Sequence, residues 1–60
     1  MSAHATARLQ EAARCVDLAA RLLTNGDADG ALTLMAQAAG CLADARAFVR
    51  LAIETAEAAN

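Results

Sequence analysis

The sequence predicts an all-α protein, folded as an antiparallel helical hairpin with alanine-rich coiled-coil packing between its two helices. The first observation is composition: the 60 residues include no Pro and only three Gly, and the abundant Ala, Leu, Arg and Glu all favour helix. The second is that large and small apolar residues recur at seven-residue spacing in two long segments. The third is a short run of turn residues between these segments. We therefore expect one helical-hairpin domain over residues 1–60.

The first predicted helix covers about residues 3–24, where nothing interrupts the helical pattern. It carries two neighbouring rows of apolar residues at seven-residue spacing. The large residues are Leu9, Val16 and Leu23, and the small ones are Ala5, Ala12 and Ala19. Because alanine rows let helix axes approach closely, we expect antiparallel packing with a crossing angle of about 20°.

The turn is predicted at residues 25–30, which read Asn-Gly-Asp-Ala-Asp-Gly. Asn25 or Gly26 can adopt the left-handed conformation that ends a helix. Asp27 can accept hydrogen bonds from the free N–H groups at the start of the next helix, and its charge suits that helix's positive end. The hairpin is therefore expected to reverse direction here.

The second predicted helix covers about residues 31–58, and Gly40 is its weak point because a glycine inside a helix costs about 1 kcal/mol relative to alanine. An alternative breaks the chain at Gly40 and gives three helices, the last over residues 41–59. The periodicity favours one continuous helix, since its rows run straight across position 40. These rows are Met35, Leu42 and Val49; Leu34, Cys41 and Phe48; and Ala38, Ala45 and Ala52.

The apolar surface of the first helix spans roughly 200° when residues are projected at about 100° each, which is wider than one partner helix can cover. We therefore expect a homo-oligomer, first of all a two-fold dimer that forms a four-helix bundle. The residues expected to take part in self-association are Leu9, Val16, Leu18, Leu22, Leu23, Met35, Leu42, Phe48, Val49, Leu51 and Ile53. Phe48, the single aromatic residue, is expected to anchor the core.

The polar residues indicate binding rather than catalysis. The formal charge of −2 argues against a strongly basic nucleic-acid module. His4 is the only histidine, no metal-ligand quartet exists, and no nucleophile lies near a base, so we expect neither enzyme activity nor a cofactor. The predicted function is that of a protein-binding adaptor or regulator. The residues expected to face a partner are Arg14, Arg21, Arg46 and Arg50.

The Asp-Ala-Asp turn and the alanine-bearing seams resemble those of the Rop family, plasmid-encoded RNA-binding hairpins that dimerise into four-helix bundles. The resemblance is architectural. It implies an alternative function as an RNA-binding regulator, with Arg14 and Arg21 contacting the RNA backbone. Asp17 lies between them and can pair with Arg21, as on an ordinary solvated helix face.

The turn also resembles half of an EF-hand calcium loop. Positions 1, 3 and 5 of that loop correspond to Asn25, Asp27 and Asp29, and its glycine to Gly30. Position 12, which brings a bidentate Glu in EF-hands, falls on Ala36. This resemblance implies a second alternative, a degenerate calcium-binding hairpin.

Composition also predicts a location for the chain. All five basic residues are Arg, which together with the alanine content suggests a GC-rich, bacterial coding sequence. The N-terminus lacks an apolar signal core, and the longest uncharged stretch is shorter than the roughly 20 residues of a membrane span. We therefore expect a cytoplasmic protein in which Cys15 and Cys41, almost level in the hairpin, stay reduced as small buried hydrophobic residues.

Overall fold

The computed structural model describes residues 3–59 and contains two helices, α1 (Ala3–Thr24) and α2 (Ala28–Ala59), packed along each other. Positions 1, 2 and 60 of the predicted domain lie outside the described residues. The helices are antiparallel. Arg8 of α1 pairs with Asp44 of α2, and moving seven residues along α1 to Cys15 moves the contact seven residues back to Gln37. The predicted all-α helical hairpin is confirmed.

Helix α2 continues without a break through Gly40, so the three-helix alternative is wrong. Gly40 is exposed, and a Cβ atom built there would meet nothing within 4 Å. The glycine therefore costs only its intrinsic helix propensity. The apolar rows that pack against α1 on both sides of position 40 outweigh that cost.

The turn is shorter than predicted, because residues 28–30 already belong to α2. Of the two candidates for the left-handed residue it is Gly26 that adopts this conformation, with φ of 85°. The N–H of Asp27 donates to the carbonyl of Leu22 at 2.8 Å, and the N–H of Gly26 donates to the carbonyl of Leu23 at 3.1 Å. This pair of bonds is a Schellman motif, which satisfies carbonyls that the end of α1 leaves free.

The side chain of Asp27 explains the early start of α2. Its Oδ1 accepts a hydrogen bond from the N–H of Gly30 at 2.9 Å, and its carbonyl accepts the N–H of Ala31 at 3.1 Å. Asp27 is therefore the N-cap residue, as its predicted role required. A Cβ atom at position 30 would collide with the Asp27 carboxylate, so glycine allows this capping geometry.

The core between the helices is made of small side chains. The buried residues of the described chain are Ala5, Ala12, Cys15, Ala19, Ala31, Ala38, Cys41 and Ala45. The predicted alanine rows thus form the seam between the helices. Phe48 does not anchor this core as predicted: it is exposed, and its ring stacks on that of His4 with centroids 5.5 Å apart. The seam admits only small groups, so a phenyl ring has no room within it.

The hairpin is long and thin: its Cα trace has principal extents of 52, 14 and 11 Å, to which the side chains add. α2 has 32 residues and α1 has 22, so the end of α2 extends past the start of α1. Neither described helix is long and apolar enough to cross a membrane.

Candidate protein-binding surfaces

Two helices in one layer leave two broad sides, and the chemistry of the two sides differs. We call them the apolar face and the polar face. The apolar face consists of Leu9, Val16 and Leu23 on α1 and Met35, Leu42, Val49 and Ile53 on α2. The polar face consists of Arg8, Glu11, Cys15, Gln37, Cys41 and Asp44. Buried alanines form the floor of the apolar face, and the buried Cys15 and Cys41 lie at the floor of the polar face.

Three adjoining grooves run along the apolar face. The groove nearest the chain ends has a volume of about 480 Å³ and is lined by Leu9, Leu42, Ala45, Arg46, Val49, Arg50 and Ile53. The central groove, of about 530 Å³, shares Leu9 and Leu42 with it. The groove nearest the turn, of about 270 Å³, shares Val16 and Ala20 with the central one. The shared residues make the three grooves one continuous trough.

Few charged residues line the grooves of the apolar face. Asp17 borders the central groove, and Arg46 and Arg50 border the groove nearest the chain ends. The groove nearest the turn is lined by apolar side chains throughout. The surface of this face is therefore mainly apolar, and its few charged groups could remain solvated if the face were covered.

The polar face carries ion pairs instead of an apolar groove. The Arg8 guanidinium donates to Asp44 at 3.1 Å and so links α1 to α2, while Arg14 Nε donates to Glu11 at 3.1 Å within α1. The hydrogen bond and charge of Arg14 hold the pKa of the Glu11 carboxyl below its usual range. Because both pairs are exposed to solvent, which screens their attraction, each contributes little to the stability of the hairpin.

Cys15 and Cys41 are buried and free, and both border the groove of the polar face. The Cys15 thiol lies 3.9 Å from Glu11 Oε1 and 3.9 Å from Gln37 Oε1. Burial, followed by the negative charge of Glu11, raises the pKa of the Cys15 thiol. A thiol kept protonated in this way is a poor nucleophile and acts as a small apolar group.

The four arginines predicted to face a partner lie in two different environments. Arg14 and Arg21 are on α1, where Arg14 pairs with Glu11 and Arg21 pairs with Asp17 at 2.9 Å. Arg46 and Arg50 border the apolar face instead. The structure therefore does not bring the four together. Arg14 and Arg21 hold carboxylate partners at the positions where the Rop resemblance implied RNA contacts.

The residues predicted for self-association also divide into two groups in the structure. Seven of them form the apolar face, as defined above. The other four, Leu18, Leu22, Phe48 and Leu51, line none of its grooves. Leu18 follows Glu11, and Leu51 follows Asp44, by seven residues, so helical periodicity places both leucines toward the polar face. A wheel projection shows the width of an apolar arc, but the packed seam is needed to divide it into two sides.

Sequence reasoning missed the ion pair between the helices. Arg8 and Asp44 are 36 residues apart, and no local spacing relates them. Only the register of the packed helices brings them together. The pairing of Glu11 with Arg14 did have a local signal, since residues three apart share a helix face.

The turn shows no sign of a folded calcium loop. Asp27 uses its Oδ1 to cap α2, and residues 28–36, which would have to wrap around an ion, are helical. The described residues contain no group of three or more His, Cys, Asp or Glu side chains placed to hold a metal ion.

Comparisons of the chain with protein-family models, with curated proteins and with solved structures found no match.

Proposed function

We propose that this protein is a non-enzymatic protein-binding adaptor or regulator that works as a homo-oligomer, first of all as a dimer. One observation carries the proposal: the buried core holds only alanine and cysteine, while ten large apolar side chains of the described chain are exposed. Normal globular domains bury such side chains. A surface of this kind is typical of one that another protein covers.

Energetics supports the need for a partner. Full burial of a large apolar side chain contributes about 1.5–3 kcal/mol, whereas an alanine has little area to bury. Chains of about 60 residues are marginal even with an ordinary core. Burial of the exposed leucines, valine, methionine and isoleucine would therefore supply a large share of the stabilisation that this chain can obtain. Association with another protein chain buries them.

The environment of the cysteines supports a non-enzymatic role. Cys15 is the nucleophile with a carboxylate beside it, but its raised pKa keeps the thiol protonated. Its other neighbour, Gln37, cannot take up a proton. Two free, buried thiols also suit a reducing compartment, and we propose a bacterial cytoplasmic location on that basis together with the all-arginine basic composition.

Sedimentation equilibrium across a dilution series, with helicity followed by circular dichroism at the same concentrations, tests the proposal. The expected result is a dimer whose helicity falls on dilution. A monomer that remains fully helical at low concentration would refute self-association. An unfolded monomer would refute the homo-oligomer and assign the apolar surface to a different protein.

Two further titrations separate the alternative functions from protein binding. An RNA-binding hairpin should lose affinity for RNA steeply as salt rises and on loss of Arg14 or Arg21. A calcium-binding hairpin should gain thermal stability with calcium, and Asp27→Ala should abolish that gain. A protein-binding module should show neither response.

A further inference from the structure

We infer that the apolar face is the contact between two copies of this chain, and that the polar face stays outside the contact. This inference rests on the proposed self-association and adds which side of the hairpin performs it. It excludes Leu18, Leu22, Phe48 and Leu51 from the contact, although their apolar character suggested a role in it.

The size of the apolar face suits a second copy. The 22 residues of α1 give a length of about 33 Å at 1.5 Å per residue, and two helices side by side are about 20 Å wide. The flat footprint is then roughly 660 Å² per copy, or about 1,300 Å² for the pair, which lies within the usual range for stable interfaces. A single docked helix would cover only about half of that width.

The shape of the apolar face suits a copy of itself. A row of large side chains stands on each helix, and the alanine floor lies between the two rows. Rows spaced seven residues apart can pack between the rows of a second, identical hairpin, as in a four-helix bundle. A two-fold axis in the contact plane then covers both copies with one self-complementary surface.

The polar face suits a dimer contact less well. A second copy placed there would cover the Arg8 to Asp44 and Glu11 to Arg14 pairs, which are now exposed to solvent. Removing such pairs from water costs more than their mutual attraction returns unless further hydrogen bonds satisfy them. The apolar face carries no comparable cost, because its charges lie at a few points of the groove lining.

Arginine substitutions on the two faces test the inference. Val16→Arg and its matched control Leu18→Arg are two residues apart on α1, with the wild-type side chains 55% and 46% exposed in the hairpin. Leu42→Arg and Leu51→Arg form the same comparison on α2, at 48% and 60%. None of the four residues is buried in the seam, so the hairpin itself tolerates each change.

The apolar-face variants should raise the dimer dissociation constant by about a hundredfold or more in sedimentation equilibrium, because a charge enters the contact without a partner. The Leu18→Arg and Leu51→Arg variants should stay within about threefold of the wild type, as substitutions on a solvated surface do. The reverse pattern would overturn the inference and leave self-association standing. A wild-type chain that is a folded monomer throughout would overturn both.

Thiol labelling provides a second test, whose readout is the accessibility of each face rather than the dissociation constant. Leu42→Cys and Leu51→Cys are each introduced into a chain with Cys15→Ala and Cys41→Ala, since alanine fits the seam. The thiol from Leu42→Cys should react with N-ethylmaleimide at least about tenfold more slowly than that from Leu51→Cys, and dilution should remove the difference. Equal rates at high concentration, or slower reaction at position 51, would contradict the inference.

Discussion

The close packing of the alanine seam predicts that a larger residue there will force the helices apart. Ala45 is 1% exposed, and it lies opposite α1 in the middle of α2. Ala45→Leu adds three carbon atoms to a side chain that is buried between the helices, beside the floor of the groove nearest the chain ends. Overpacking of this kind typically costs about 1–3 kcal/mol. For a domain of about 60 residues, each kcal/mol lowers the Tm by roughly 4–8 °C.

The assay is thermal unfolding followed by circular dichroism, with all variants at one protein concentration because association itself raises the Tm. Ala47→Leu is the matched control. It lies two residues away on the exposed side of α2, and leucine has nearly the helix propensity of alanine. We expect the control to unfold within a few degrees of the wild type. Equal Tm values for Ala45→Leu and Ala47→Leu would refute the reasoning that the alanine seam is tightly packed.

Four further substitutions test the turn, the helix interior and one carboxylate. Asp27→Ala should cost about 1 kcal/mol through loss of the N-cap, measured by urea unfolding. In the same assay Gly26→Ala should destabilise the hairpin by about 1–2 kcal/mol, because residue 26 has a left-handed backbone conformation. Gly40→Ala should instead stabilise it by up to about 1 kcal/mol, since position 40 is helical and open. If both substitutions changed the free energy of unfolding in the same direction, this contrast would be contradicted. Arg14→Gln should raise the pKa of Glu11 in an NMR titration, because the hydrogen bond from Arg14 lowers it. In the wild type, the stability that the ionised Glu11 contributes is fully present above the pKa of glutamate in the unfolded chain. It is lost as the pH falls through the lower pKa of Glu11 in the folded chain.

The arrangement of large and small residues would link folding to the proposed association. The alanine seam lets the two helices approach closely, but it buries little area. The large side chains stand beside the seam rather than within it, so the hairpin alone leaves them in water. The exposed apolar surface that the proposed association would bury is therefore also the surface whose burial would stabilise the chain.

The two helices and the place where the chain reverses could be predicted from the sequence alone. Helix propensity and seven-residue periodicity are local properties, and so are the capping role of Asp27 and the left-handed conformation open to Gly26. The periodic rows also predicted a continuous α2 correctly, because a single Gly40 costs less than the packing on either side supplies. These features depend on residues within a few positions of each other, and a single sequence shows them directly.

Which residues share a side of the hairpin could not be predicted, because it depends on how the two helices pack. The register of α1 against α2 pairs Arg8 with Asp44 and leaves Phe48 beside His4 instead of in the core. The same register assigns Leu18 and Leu51 to one side and the rows of the apolar face to the other. Contacts between residues far apart in the chain depend on how closely the two helices approach and on their axial offset. Neither quantity is a property of any local stretch of sequence.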